Sequence, residues 1–328
     1  MQNVRKFRKL LVFLSFLFIV MISLLCSDTA LAVKVNPAGT TINDTLEGDP
    51  NCINYGMIET YPDNERGMKP VGTGSASNFG RVITHGQRAH GIYAPDPYST
   101  VTNESGGIII IYGEDAYGIY ASNPYSTATN KSGGSITTEG ALDYGIRADN
   151  NSTATNSGII DTKRELACGM FALINSTATN KRGGIITTYG KYAHGIFAED
   201  HSTATNETVG SITTHGEEAH GIYAVKGSTA TNEGNITTRG QLAYGMDARG
   251  LNSTATNRGN ITTEGTNACG MWVANNSTAT NENGGNIITY GAGASGMTVS
   301  KSSTATNKIG GSITTHGKSA TGMYIFIS

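Results

Sequence analysis

One unit of about 25 residues recurs eleven times, from Asn54 almost to the end of this 328-residue chain. Its clearest form runs Ser126-Thr-Ala-Thr-Asn130, then Gly134-Ser-Ile-Thr-Thr-Glu-Gly140, then Asp143-Tyr-Gly-Ile-Arg-Ala148. A period of this size means a solenoid. One unit cannot bury its own apolar face, but stacked units cover one another. The 43 Gly and few Pro would also suit low-complexity disorder. Against that, Ile, Val and Met return to fixed places, which a disordered linker has no reason to keep.

Aligning the units on Asn54, Asn78, Asn103, Asn130, Asn156, Asn180, Asn206, Asn232, Asn257, Asn281 and Asn307 exposes the columns. Each unit reads as three short strands separated by Gly-rich or polar turns, with no helical pattern outside the N-terminus. In Thr-Ala-Thr-Asn, alternation puts Ala and Asn on one face and the two Thr on the other. The Asn are expected inside, bonded amide to amide along the axis; the competing reading gives them only turn chemistry. The Ile of Ile-Thr-Thr, from Ile58 to Ile313, and the Ile or Met of Gly-Ile-x-Ala, from Met68 to Met323, should form two core ladders. The turn from Gly140 to Gly145 keeps one length throughout; the Ala-to-Ser turn varies, which marks a surface edge. Arg164 stands where that turn otherwise has Gly, so strain or rearrangement is expected there.

The fold class is therefore all-β: a parallel β-helix, or β-solenoid, of about eleven coils of about 25 residues. Residues 1–32 read as a signal peptide: Arg5, Lys6, Arg8 and Lys9, an apolar run from Leu10 to Leu25, and a small-x-small site predicting cleavage after Ala32. Residues 33–53 read as an N-terminal entry segment or cap, and 54–328 as the repeat domain. The last residues fall inside a third strand with no cap in view, so a truncated product and a complete one both stay open. Past Ala32 there are 19 basic and 24 acidic residues, a net charge near −5, with no basic patch suited to nucleic acid. Cys168 and Cys269 share a column four coils apart, roughly 19 Å at about 4.8 Å per coil. That is beyond disulfide reach, so Cys52, Cys168 and Cys269 should be free and buried.

The cycle Asn-x-Gly-x-Ile-Thr-Thr-x-Gly, Ala-x-Gly-Ile-Tyr-Ala, Ser-Thr-Ala-Thr-Asn over residues 54–325, behind an export signal, resembles the passenger region of Gram-negative autotransporters. The resemblance implies a right-handed parallel β-helix on the cell surface, usually an adhesin or another virulence-related protein, with a host-surface protein or glycan as partner. It also implies a C-terminal membrane β-barrel, which these residues do not supply. Location would then be the cell surface or the medium, or the periplasm if the translocator is truly absent.

Candidate chemistry is sparse. His90, His194 and His220 share a column, with His194 and His220 on adjacent coils, but the column also takes Tyr, Ser and Thr. It reads as an exposed or semi-exposed turn position, not a metal site. Asp143, Asp161, Glu199 and Asp247 scatter over different columns, and no Gly-x-Ser-x-Gly elbow occurs, so no catalytic residue, metal or cofactor is assigned. One outward column is largely aromatic: Tyr93, Tyr120, Phe171, Phe197, Tyr223, Trp272 and Tyr324. It reads either as a partner-contact stripe or as rings that stabilise stacking between coils. The expectation is a non-catalytic, exported surface module. The alternatives are a β-helix enzyme acting on polysaccharide and an ice-binding solenoid using the Thr-x-Thr ranks.

Overall fold

The structure, a computed structural model, describes residues 33–326. The signal segment and its cleavage point after Ala32 lie outside the described residues. Among the described residues no helix is long and apolar enough to cross a membrane.

Every coil makes three strands, and the chain returns to the same three sheets each time. The coil carrying Asn180 is representative: Thr177–Asn180 lies in the first sheet, Ile185–Thr188 in the second and Ile196–Glu199 in the third. Each sheet holds 12 parallel strands in strict chain order. Register does not slip: Asn180 sits opposite Asn206, Ile186 opposite Ile212 and Ile196 opposite Ile222. A one-residue slip would turn each buried face outward, so the fixed columns set the register.

Twelve strands per sheet is one coil more than the repeat motif reveals. Lys34–Asn36, Thr41–Ile42 and Leu46–Gly48 form it, within the segment read as an entry or cap, and pair with the coil of Asn54. Its turns are shorter, with Asn36 and Asn54 only 18 residues apart.

The core is narrow and built from small layers. In the first sheet Ala178 and Asn180 point inward, in the second Ile186 and Thr188, in the third Ile196 and Ala198; all six are fully buried. Each buried Ile contributes about 1.5–3 kcal/mol of transfer free energy, so the Ile and Met ladders carry most of the apolar term. The Asn amides run as predicted. From Asn36 to Asn307 each Nδ2 donates to the Oδ1 of the next coil's Asn at 2.7–2.9 Å. The inner Thr solves a second problem: Thr162, Thr188 and Thr214 each donate Oγ1 to the carbonyl of an Ala five residues on. That bond closes the bend between the second and third sheets over a carbonyl that water cannot reach.

Cys52, Cys168 and Cys269 are free and buried, as expected. The bend at Arg164 keeps the form of its neighbours, contrary to the expected rearrangement. Arg164 is not among the residues with positive φ; the left-handed position is Leu166, φ 60°. Gly in that column serves close packing: a Cβ on Gly190 would lie 1.8 Å from the carbonyl oxygen of Arg164.

Candidate functional site

The outer face of the third sheet gathers three of the seven histidines, His90, His194 and His220, with the aromatic column. Two columns stand there, one ending just before the third-strand Gly and one just after the core Ile or Met. Gly91 explains why both point outward. A Cβ on it would sit 2.6 Å from Cγ2 of Ile109, so position 91 faces the core. Its neighbour His90 must therefore face out, and so must Tyr93 beyond the buried Ile92.

The aromatic column predicted from the sequence does lie outside the core. Tyr93, Tyr120, Phe197, Tyr223 and Trp272 are half-buried, Phe171 is only 5% exposed and Tyr324 is 47% exposed. The rings stack along the axis: Tyr93 on Tyr120 at 5.4 Å, Phe171 on Phe197 at 4.8 Å, Phe197 on Tyr223 at 5.0 Å. Much of each face is covered by the next ring, so this part of the stripe shows solvent mainly ring edges and hydroxyls.

The histidine column is corrected by the structure: it is not an exposed turn position. His90, His194 and His220 are 6%, 8% and 5% exposed, because the neighbouring outward column folds over them. His90 stacks on Tyr117 at 4.6 Å, His194 on His220 at 4.9 Å and His220 on Tyr244 at 4.8 Å. Each Nδ1 accepts a backbone N–H from the next coil: Tyr117 on His90, His220 on His194, Tyr244 on His220. Burial pushes His90 and His194 down to about 3, and the guanidiniums of Arg66 and Arg147, and of Arg249, push the same way. These imidazoles are neutral acceptors that join coils.

Burial of these imidazoles makes stability depend on pH. A His held at about 3 in the fold and near 6.5 when unfolded binds fewer protons in the native state, so its stability contribution is lost as pH falls from about 6.5 towards 3. Tyr already occupies this column at Tyr117 and Tyr144. Between pH 6.5 and 4 the native chain should lose up to about 3 kcal/mol more than a His90→Tyr variant in urea titrations. Parallel pH curves for the two proteins would contradict this.

Two charged pairs interrupt the ring ladders, and they are mirror images in sequence. Arg147 and Asp149 occupy the positions that Asp247 and Arg249 occupy four coils later. Arg147 Nη1 donates to the Tyr117 hydroxyl at 2.8 Å, its Nε donates to Asp149 at 3.0 Å, and the Tyr120 hydroxyl donates to the same carboxylate at 2.8 Å. The Asp247 carboxylate is fully buried. Burial raises its pKa to about 7, with Arg249 opposing. Arg249 Nε donates to its Oδ1 at 2.9 Å. Oδ2 lies 2.7 Å from Arg249 Nη2 and 3.1 Å from His220 Nε2, yet neither contact is aligned as a hydrogen bond.

The acids Asp143, Asp161, Glu199 and Asp247 are not brought together. Among the described residues no group of three or more His, Cys, Asp or Glu is placed to hold a metal ion. The Thr-x-Thr ranks face outward from the first sheet, mostly half-exposed. Sequence reasoning missed two features. One is Asp143, fully buried in a column otherwise held by Ala89, Ala116, Ala167 and Ala193. The other is the swapped charge pair. The column alignment carried the signal for both.

Among known proteins, no curated protein matches this chain, and no solved structure does. A family model described as the BigA third pectate lyase-like domain matches twice, over residues 28–189 and again over 162–325. The overlapping matches together cover residues 28–325, as a coil-by-coil repeat allows. The chain belongs to the family of the BigA third pectate lyase-like domain.

Proposed function

We propose that this protein is an exported, non-catalytic surface module, an adhesin-like β-helix of the kind found in autotransporter passengers. One observation carries the reading: the titratable side chains along the third-sheet wall and its bend are buried between coils. His90, His194, His220, Asp143 and Asp247 are at most 8% exposed. The three histidines spend Nδ1 on backbone N–H groups, and both Asp143 oxygens accept backbone N–H groups. What meets solvent is an ordered array of Thr, ring edges and turn residues.

The family description favours a second reading, a polysaccharide-cleaving enzyme. Such chemistry needs an acid and a base within reach of one sugar ring. Here His220 and Asp247 face each other inside the wall. Two measurements test the proposal. Expressed whole in a Gram-negative host, the chain should be recovered outside the inner membrane beginning at Val33; cytoplasmic chain with its leader attached would contradict export. Incubated with acidic polysaccharides, the purified chain should release no new reducing ends or unsaturated products, and steady release would establish the enzyme instead.

A further inference from the structure

Trp272 closes the stack of rings that runs through His194, His220 and Tyr244. One indole face stacks on Tyr244 at 5.2 Å and 7°. On the other side the next coil brings Thr298, paired in register with Trp272. Thr298 is far smaller than an indole, so the distal part of that face is left without a ring over it. Beside the ring, towards the Ala-to-Ser turn, lies a cleft of about 200 Å³ lined by Arg249, Trp272, Asn275, Ser300, Lys301 and Phe326. We infer that this cleft is a subsite for an acidic sugar residue, a carboxylate-bearing pyranose of an extracellular glycan.

The chemistry of the lining supports this class. A sugar ring presents a face of C–H groups that packs on an aromatic face. Phe326 stands at the same cleft and is 48% exposed. Arg249 Nε donates to Asp247 Oδ1 and its Nη2 lies 2.7 Å from Oδ2, an ion pair that holds the guanidinium at the wall of the cleft. A guanidinium fork suits a planar carboxylate. Lys301, exposed in the adjoining turn, adds a second cation to the same cleft. The Asn275 amide and Ser300 hydroxyl are suited to sugar hydroxyls. Arg249 shares its charge with Asp247, while Lys301 has no ion pair among the described residues; on a chain whose net charge past Ala32 is near −5 this cation favours an anionic ligand over a neutral one.

This inference rests on taking the third-sheet face as the contact face. It is tested independently of export, so either can fail alone. Trp272 is the only tryptophan, so its fluorescence reports this cleft and no other. The chain should be titrated with a glucuronate-containing tetrasaccharide and with maltotetraose, monitoring indole emission. A saturable change is expected with the acidic sugar, at least tenfold weaker with the neutral one. Lys301→Glu, in an exposed turn, should weaken the acidic response at least fivefold with an unaltered circular dichroism spectrum. Trp272→Phe, measured by calorimetry, should weaken it severalfold. No saturable change in the native chain, equal affinity for both sugars, or indifference to Lys301→Glu would each overturn the assignment.

Discussion

Replacing Asn180 with Ala should destabilise the solenoid by about 3–5 kcal/mol, while the same change at Asn307 should cost under about 1 kcal/mol. The Asn180 amide is fully buried. Its Nδ2 donates to Asn206 Oδ1 at 2.9 Å and to the Gly184 carbonyl at 3.0 Å, and its Oδ1 accepts from Asn156 at 2.8 Å. Removing it strands a donor on one coil and an acceptor on the next, both without water. Asn307 is exposed and passes no bond onward to another Asn among the described residues. Asn180→Asp separates hydrogen bonding from packing. The carboxylate has the same shape, cannot donate to Asn206, and carries a buried charge. Its folded pKa should therefore lie above the unfolded value, so its deficit relative to the native chain should grow as pH rises past about 4. Urea midpoints for the three variants, at pH 4.5 and 7.5, check the set. Equal costs at Asn180 and Asn307 would remove the ladder from the account.

The opposite sign is expected at Asp143. Burial raises this carboxyl to about 8, although it accepts N–H bonds from Ala116 at 2.9 Å and Gly140 at 3.0 Å. Its coil also lacks the bond that closes the coils of Thr162 and Thr188, for the Thr138 hydroxyl has no partner. The folded pKa lies above the unfolded value of 3.8, so the native state binds more protons. The penalty is absent below about pH 4, grows as pH rises, and levels off above about pH 8. At its limit it is on the order of 5 kcal/mol. Asp143→Ala restores the residue of the other coils and should raise stability, with an advantage that widens from pH 4 to 9. Asp143→Asn should flatten the pH dependence while keeping an acceptor. Urea titrations across that range read both; parallel curves for native and Ala variants would contradict the assignment.

The columns made the fold legible. Ala128, Asn130, Ile136 and Ile146 could be placed inward from period and polarity alone, because a parallel solenoid repeats one cross-section. Two things were not legible for physical reasons. The coil of Asn36 and Ile42 keeps Asn36, Ile42 and Leu46 in the core columns but sets Lys34 in the Ala column and shortens its turns, so motif matching stopped a coil short. The burial of His90 was hidden because alternation predicts direction, not cover: His90 points out of the core and is then roofed by Tyr93 and Tyr120. Variation at a column was read as exposure, whereas His, Tyr and Cys are alternative ways of filling one enclosed shelf. The cleft at Trp272 was invisible for a similar reason. It lies beside the ring and depends on the small residues that the coils set there, Ala274 and Ser300, and not on the ring itself.

Distances between spin labels test the central claim, that one cross-section repeats in fixed register along the rod. Ser77, Thr129 and Thr280 share the outward column of the first sheet, and all three are half-exposed. With the native cysteines replaced, pairs at 77/280 and 129/280 span eight and six coils. At about 4.8 Å per coil these predict narrow distributions near 38 Å and 29 Å. Broad distributions, or a separation that does not shrink by about 10 Å between the two pairs, would contradict the stacked solenoid on which the ladders, the buried histidines and the Trp272 cleft depend.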